Sequence, residues 1–213
     1  GLAPETLRFW RNANAIVIGR FQCPSLEVNF LKCLEHNVSV VRRFTGGGAV
    51  YHDYGNLNYA ISLRSDNPLV RGGLMSLFEL IGRGVVLGLE ELGIRAEFKR
   101  INDIVVGGRK VSGMAGMISS DFLFVHGCIL VSSNVNVLAE VLRVPEEKLK
   151  DKPVRSVRHR VITLEEAVGR KLRMSEVKDA IRRGLEESLR MEFLPGDLTD
   201  YEMQLALKLY REK

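Results

Sequence analysis

Three consecutive glycines, Gly46, Gly47 and Gly48, follow two residues after segment 38–43, which has the composition of a strand. Glycine reaches backbone conformations that other residues avoid, and it leaves its N–H group open to a ligand. Arg42 and Arg43 stand just before the glycines, and guanidinium groups pair well with phosphate or carboxylate oxygens. The segment has neither the Gly-Lys-Ser/Thr ending of a nucleotide-hydrolase phosphate loop nor the G-x-G-x-x-G spacing of a dinucleotide site. It therefore predicts an anion-binding loop, with a flexible structural turn as the alternative.

A second group of functional residue types lies in residues 102–113. Gly107-Gly108 separates the predicted strands 103–106 and 109–112, as in a hairpin with a two-residue turn. Lys110 then stands early on the returning strand, beside small residues. A lysine held there can neutralise a carboxylate and a phosphate together, although an exposed hairpin lysine is the alternative. His126, on the predicted strand 122–131, is a third candidate, and a lone histidine on a strand is more often structural.

The remaining pattern predicts an α+β fold in one domain that spans residues 1–213. Strands are predicted at 13–20 and 57–63, and the end of the chain is helical. Ser25 is predicted to cap a helix through Leu26, Phe30 and Leu34, and a helix over 75–92 should stop at Gly93. Two further observations support a helical end. Capping boxes are predicted at Thr163/Glu166 and Thr199/Glu202, and an apolar stripe at Val177, Ile181, Leu185 and Leu189.

Composition narrows the class of protein. No apolar run approaches the roughly eighteen residues of a membrane span, so no membrane partner is expected. The three cysteines Cys23, Cys33 and Cys128 do not have the number or spacing of a disulfide framework or a zinc site, which favours the cytoplasm. The formal net charge is +5, and residues 147–160 are rich in Lys and Arg. That stretch could attract an acidic protein, a nucleotide phosphate or nucleic acid, or be a solvated surface. Because no aromatic residues interleave with the basic ones, and no helix-turn-helix pattern precedes the core, nucleic acid is not expected.

Five segments, in this order, resemble the lipoate–protein ligase A family over about residues 7–165. They are residues 7–12 (LRFWRN), 18–22 (IGRFQ), 42–56 (RRFTGGGAVYHDYGN), 102–113 (NDIVVGGRKVSG) with His126-Gly127, and 154–161 (VRSVRHRV). The resemblance implies a biotin/lipoate ligase catalytic core, which is a mixed β-sheet flanked by helices. It also implies that lipoate and ATP, with Mg²⁺, form lipoyl-AMP and pyrophosphate. The lipoyl group then passes to a lysine of a lipoyl domain.

The family's site residues carry over to matching positions of this sequence. Lys110 would be catalytic, in contact with both the lipoyl carbonyl and the phosphate. Asp103 is a candidate contact for Mg²⁺, and no residue is assigned as a certain metal ligand. The expected binding residues are Arg42, Arg43, Thr45, Gly46, Gly47, Gly48, Ala49, Val50, His52, Asn102, Asp103, Ser112, Gly113, His126 and Gly127.

The resemblance also implies protein partners. Expected acceptors are lipoyl domains of 2-oxoacid dehydrogenase E2 chains or H-like proteins of glycine cleavage. The residues after Thr163 are too few for the accessory domain of full-length ligases, so a separate accessory protein is expected. The segment Met114-Ala115-Gly116-Met117 departs from the polar or arginine residues usual in the family, and this predicts a more apolar contact to the acyl chain.

Two alternatives remain open at this point. An octanoyl or lipoyl transferase would use a cysteine and no ATP, but the family positions for that cysteine contain none. Cys128 lies two residues from His126 on one strand face, so a Cys–His pair is conceivable, although a buried structural cysteine is favoured. A non-catalytic binding member of the fold is the other alternative, and the presence of Lys110 argues against it.

Overall fold

The computed structural model describes residues 4–99, 101–143 and 156–212. Residues 144–155, which include much of the basic stretch and the start of the segment at 154–161, lie outside the described residues. The strands in chain order are β1 (Thr6–Trp10), β2 (Ala15–Ile18), β3 (Ser39–Arg42), β4 (Val50–His52), β5 (Asn56–Arg64), β6 (Glu97–Lys99), β7 (Asp103–Val106), β8 (Arg109–Ile118) and β9 (Phe122–Leu130). The helices are α1 (Pro24–Glu27), α2 (Phe30–Glu35), α3 (Gly73–Glu91), α4 (Val135–Val141), α5 (Ser156–Arg160), α6 (Leu164–Val168), α7 (Met174–Leu189) and α8 (Asp200–Arg211), with a 3₁₀ turn at Pro68–Gly72.

The larger sheet has six strands in the order β1-β5-β9-β8-β7-β6, and every neighbouring pair in it is antiparallel. Its two faces differ in polarity because side chains alternate along a strand. On β5 the apolar Leu57, Tyr59, Ile61 and Leu63 enter the main core, whereas Asn56 and Asn58 face the other way. The polar face carries the candidate site described below.

Helices α3 and α7 cover the apolar face of this sheet. The predicted stripe on α7 is confirmed, because Val177, Ile181, Leu185 and Leu189 are all buried in the main core. The two helices approach so closely that a Cβ added to Gly184 would lie 2.2 Å from the carbonyl oxygen of Gly84. On α3, a Cβ on Gly88 would likewise lie 2.6 Å from the carbonyl oxygen of Ala180, so Gly84 and Gly88, which weaken α3 as an isolated helix, allow it to pack against α7.

Helix α3 also bears on the membrane expectation. The segment Pro68–Glu91 is long and apolar enough to cross a membrane by length and composition alone, and 44% of its window is buried inside the protein. Leu77, Ile81, Val85 and Leu89 on this segment belong to the main core. Its apolar character is accounted for by packing on the sheet and on α7.

The smaller sheet has three strands in the order β3-β2-β4, with β2 parallel to β3 and antiparallel to β4. Ile16, Ile18 and Tyr51 pack there with Val28 of the α1–α2 connection and Val141 of α4. The smaller core therefore holds the strands on either side of the glycine loop.

The prediction of one helix capped by Ser25 is wrong. Two short helices form instead, and Asn29 caps the second by accepting from the backbone N–H of Lys32. Leu26, Phe30 and Leu34 do not form a buried stripe, because all three are exposed. Val28, between the helices, is the residue that enters the core.

Of the two predicted capping boxes, only the one at Thr199 and Glu202 is complete. Thr163 accepts from the backbone N–H of Glu166, but the Glu166 carboxylate forms an ion pair with Arg109 instead of returning to the cap. The hairpin prediction is confirmed, since Gly107 and Gly108 have φ of 55° and 76° between β7 and β8.

Candidate functional site

A β-bulge determines where Lys110 points. Ile104 pairs with Ser112 and Val105 pairs with Lys110, which leaves Val111 as an extra residue on β8. The bulge reverses the side-chain alternation, so Lys110 lies on the same face as Gly113 while Val111 is buried in the core. Without the extra residue, Lys110 would face the core.

The Lys110 ammonium meets the Asp103 carboxylate across the hairpin, with 2.5 Å between Nζ and Oδ1. Both side chains are about 40% exposed, so the pair contributes at most about 1 kcal/mol. An incoming anion could therefore take Lys110 from Asp103 at low cost. A Cβ on Gly113 would lie 2.6 Å from Nζ, which shows that the missing side chain at 113 makes room for the ammonium group.

Asn102 fixes the entry to this hairpin. Its side-chain Nδ2 donates to the carbonyl of Met114, and its own carbonyl accepts from the N–H of Met114 at 2.9 Å. The residue thus ties the start of β7 to β8, three residues beyond the bulge.

Arg43 organises the glycine loop. Its guanidinium donates to the carbonyl oxygens of Val17, Gly46 and Gly48 and to the hydroxyl of Thr45, at 2.7–3.2 Å. Burial lowers the pKa of this guanidinium, and its described hydrogen-bond acceptors include no carboxylate. A half-buried cation without a counter-charge favours an anion nearby.

The loop needs glycine at particular positions. Gly47 has φ of 89°, a conformation that other residues rarely adopt. A Cβ on Gly19 would lie 2.0 Å from the Gly47 carbonyl oxygen, so the turn after β2 and the loop after β3 are in direct contact. Arg42 strengthens the same contact, because its Nη1 donates to the carbonyls of Gly19, Arg20 and Gln22.

The loop lies over the polar face of the large sheet. A Cβ on Gly47 would be 3.3 Å from the Cβ of Ala115 on β8. The Thr45 hydroxyl is 2.6 Å from Nε2 of His126 on β9. Phe44 packs on Phe124 with 5.1 Å between ring centroids. The site is therefore a contact between the two sheets.

Two histidines flank this contact, and His52 is buried while His126 is partly buried. The pKa of His52 and that of His126 are each lowered to about 4, chiefly by burial and further by the nearby Arg43 guanidinium. Both imidazoles are thus neutral at pH 7. His52 is held by Asn12, whose Nδ2 is 2.9 Å from Nδ1 of the ring.

The structure brings together most of the predicted site. Thr45, Gly47, Lys110, Asp103, Gly113 and His126 meet on one face, whereas Ser112 and Gly127 point toward the core. Gly127 is needed there for space, since its Cβ would lie 2.4 Å from the Tyr59 hydroxyl. Ala49 and Val50 continue from the loop into β4.

Sequence reasoning assigned no role to Asn56 or to Phe124. Asn56 is fully buried, lies on the polar sheet face, and neither of its amide atoms has a hydrogen-bond partner in the described structure. Phe124 continues the face of His126 and Cys128, as the two-residue period of β9 could have indicated.

The described residues contain no cluster of three or more His, Cys, Asp or Glu side chains that could hold a metal ion. Asp103 supplies one carboxylate at the site, while both oxygens of Asp53 accept backbone N–H groups. One carboxylate together with substrate phosphates is a usual setting for Mg²⁺, so the residues fit an ion that arrives with a nucleotide.

Comparison with known proteins identifies the family. The family model described as Lipoyl protein ligase A/B catalytic domain matches residues 1–186. The chain belongs to this family. It is 34% identical to lipoate-protein ligase A subunit 1 of Thermoplasma acidophilum, over 97% of this chain and 80% of that protein. It is 29% identical to octanoyltransferase LipM of Brevibacillus brevis, over 100% of this chain and 86% of that protein. Lipoate-protein ligase LplJ of Bacillus subtilis is 35% identical over 85% of this chain, which spans only 54% of LplJ.

Solved structures of lipoate ligases share the fold. A bipartite lipoate protein ligase of Thermoplasma acidophilum, described with its E2 lipoyl domain, gives a TM-score of 0.87 at 33% identity, over 99% of this chain and 81% of that one. A lipoate-protein ligase A bound with ATP gives a TM-score of 0.86 at 31% identity, over 99% of this chain and 83% of that one. The predicted ligase-type α+β core is confirmed. The family includes both ligases and transferases, so membership alone leaves the reaction open between them.

Proposed function

We propose that this member of the family is an ATP-dependent lipoate–protein ligase. The observation that carries the proposal is the placement of Lys110, which a β-bulge directs onto the sheet face beneath an arginine-held glycine loop. This arrangement offers a mobile cation and exposed backbone N–H groups where negative charge would build up. It offers no readily ionised thiol.

In the first step, a carboxylate oxygen of lipoate forms a bond to the α-phosphorus of ATP, and the bond to pyrophosphate breaks. The Gly46–Gly48 backbone and Arg43 would hold the phosphate side, and Lys110 would neutralise both the carboxylate and the phosphate. In the second step, the amine of an acceptor lysine attacks the acyl carbonyl, and AMP leaves with the bonding electrons. Mg²⁺, when bound, supplies charge screening for the phosphates, and Asp103 is the residue that would help to hold it.

The transferase alternative requires a cysteine nucleophile, and Cys128 is the candidate because it shares the strand face of His126. Burial raises the pKa of the Cys128 thiol, although the nearby Lys110 lowers it in part. Cys23 is exposed, and its hydrogen bonds with Ser25 lower the pKa of its thiol, but it lies at the N-cap of α1 and its described hydrogen-bond partners include no histidine to act as a base. Cys33 is buried in the smaller core. The raised pKa of Cys128, the thiol that shares the strand face of His126, therefore favours the ligase.

Protein partners follow from the same proposal. The similar Thermoplasma acidophilum protein is a bipartite ligase described with an E2 lipoyl domain. We infer that this chain also works with a separate accessory protein and passes its acyl group to a lipoyl domain or H-like protein. Octanoate remains an alternative acyl group, since the apolar Ala115 and Phe124 at the site would suit either chain.

The test is lipoate-dependent release of pyrophosphate from ATP, measured with and without the accessory protein and a lipoyl domain. Lys110→Ala should lower the rate about 100- to 1,000-fold, the usual cost of a donor to a developing charge. Lys171→Ala is the matched control, because Lys171 is an exposed lysine remote in sequence from the site. Acyl transfer from a carrier thioester that Cys128→Ser abolishes, without pyrophosphate release under any condition, would show a transferase instead.

A further inference from the structure

A solvent-exposed apolar surface lies beside the glycine loop. It is formed by Phe21, Leu26, Phe30, Leu31 and Leu34, and we call it the α1–α2 face. Phe21 is 85% exposed and Leu34 is 81% exposed. Single exposed apolar residues are ordinary, whereas exposed apolar residues that cluster on a surface are typical of a site of protein contact.

The backbone beneath this face is well fixed. Val28, between the two helices, is fully buried and pairs with Leu142, and Cys33 enters the smaller core from α2. Arg143 closes the segment from the other side, because its backbone N–H donates to the carbonyl of Glu27. The apolar side chains are therefore exposed on a supported scaffold. Their exposure therefore does not result from a loose segment.

The α1–α2 face begins at the site itself. The Phe21 ring would be 3.9 Å from a Cβ on Gly46, and Gly19, two residues earlier, touches the Gly47 carbonyl oxygen. Phe44, half exposed beside the loop, extends the apolar surface toward Phe124. A protein that covers this face would reach the edge of the glycine loop.

Three exposed arginines frame the face. Arg20 lies over the Phe21 ring at 5.6 Å, Arg42 donates to the carbonyls of the turn, and Arg143 donates to the carbonyl of Ser25. Among the described residues none of the three forms an ion pair with a carboxylate. Glu27 adds one opposing charge, and Lys32 and Glu35 on α2 form an ion pair with each other, so the frame remains positive. Its complement is an acidic protein surface with an apolar centre.

We propose that the α1–α2 face docks the acceptor domain that receives the acyl group. The inference rests on the proposed function, in which the amine of an acceptor lysine must reach the acyl carbonyl. A lysine side chain is short, so the body of the acceptor must sit against the rim of the loop. The apolar residues anchor an acidic acceptor there, and the arginines orient it.

The experiment separates the two half-reactions of the ligase. Formation of the acyl-adenylate is followed by pyrophosphate release with the accessory protein present, and transfer is followed by mass shift of a lipoyl domain. Leu34→Glu and Leu31→Glu should leave the first reaction unchanged and raise KM for the lipoyl domain about tenfold, with kcat retained, as for loss of an interface anchor. Added salt should also raise this KM in the wild-type protein.

Leu194→Glu is the matched control, since Leu194 is 79% exposed but lies outside the face. An unchanged acceptor KM in both variants overturns the docking inference while the ligase proposal stands. Loss of accessory-dependent adenylation, with transfer from preformed adenylate unaffected, assigns the face to the accessory protein and also overturns it. Conversion of a wild-type dimer to a monomer by Leu34→Glu would assign the face to a second copy. Absence of any adenylate in the wild type refutes the function and the docking inference together.

Discussion

Replacing Gly113 by alanine should separate catalysis from stability. The new Cβ would lie 2.6 Å from Nζ and 2.7 Å from Cε of Lys110, whereas ordinary contacts begin at 3.4 Å. The new Cβ takes the space at Gly113 in which the ammonium group lies, so the group must shift by about 0.8 Å, and a displacement of about 1 Å can cost about 100-fold in rate. We expect pyrophosphate release to fall about 30- to 100-fold, or about 2–3 kcal/mol in transition-state stabilisation.

The fold should tolerate this change, because the atoms displaced are the end of a flexible side chain. Alanine is also better than glycine in a strand by up to about 1 kcal/mol, so the melting temperature should stay the same or rise. Gly196→Ala, where a Cβ meets no atom within 4 Å, is the control for the substitution itself. Wild-type activity in Gly113→Ala would refute the argument that Lys110 needs the space left at Gly113.

Three other predictions concern packing, the loop and pH. Gly184→Val should lower the free energy of unfolding by about 3 kcal/mol or more, because its Cβ would lie 2.2 Å from a backbone oxygen of α3 that cannot move aside. A change below about 0.5 kcal/mol in urea unfolding would contradict this. Arg43→Lys should weaken ATP binding about tenfold or more in calorimetry, since a lysine ammonium cannot replace a guanidinium that donates to several loop acceptors at once. Equal affinities would show that the loop does not depend on the guanidinium group. The free energy of unfolding should fall as the pH decreases from 6.5 toward about 4, because the unfolded chain binds protons at His52 and His126 that the folded chain excludes. The slope should reach up to about 1.4 kcal/mol per pH unit for each histidine, and a His52→Gln, His126→Gln variant should lose it.

The sequence predicts elements whose signal is local. The Gly107-Gly108 turn, the α7 stripe and the end of α3 just before Gly93 each depend on a few neighbouring residues, and each is confirmed. That the glycine loop and Lys110 belong to one site stays a prediction, and it rests on the resemblance to a family and not on local pattern.

Features that depend on distant contacts were not predicted. The bulge at Val111 arises from the pairing of β8 with β7, and nothing in the local pattern indicates that the alternation reverses there. The apolar repeat at Leu26, Phe30 and Leu34 predicted a buried helix face, yet Val28 and Cys33 take the core positions. Helical periodicity reveals which residues share a face. It does not reveal whether the chain itself covers that face.

The smaller sheet has a consequence for how binding and local stability are related. Its strands are only three or four residues long and its core is the smaller of the two, so it has less to resist local opening than the six-stranded sheet. The glycine loop is joined to this sheet at both ends. A ligand that binds only the closed loop therefore adds its binding free energy to the local stability of β2, β3 and β4. Any change that loosens these strands should weaken ligand binding by the same mechanism, even where it touches no ligand atom.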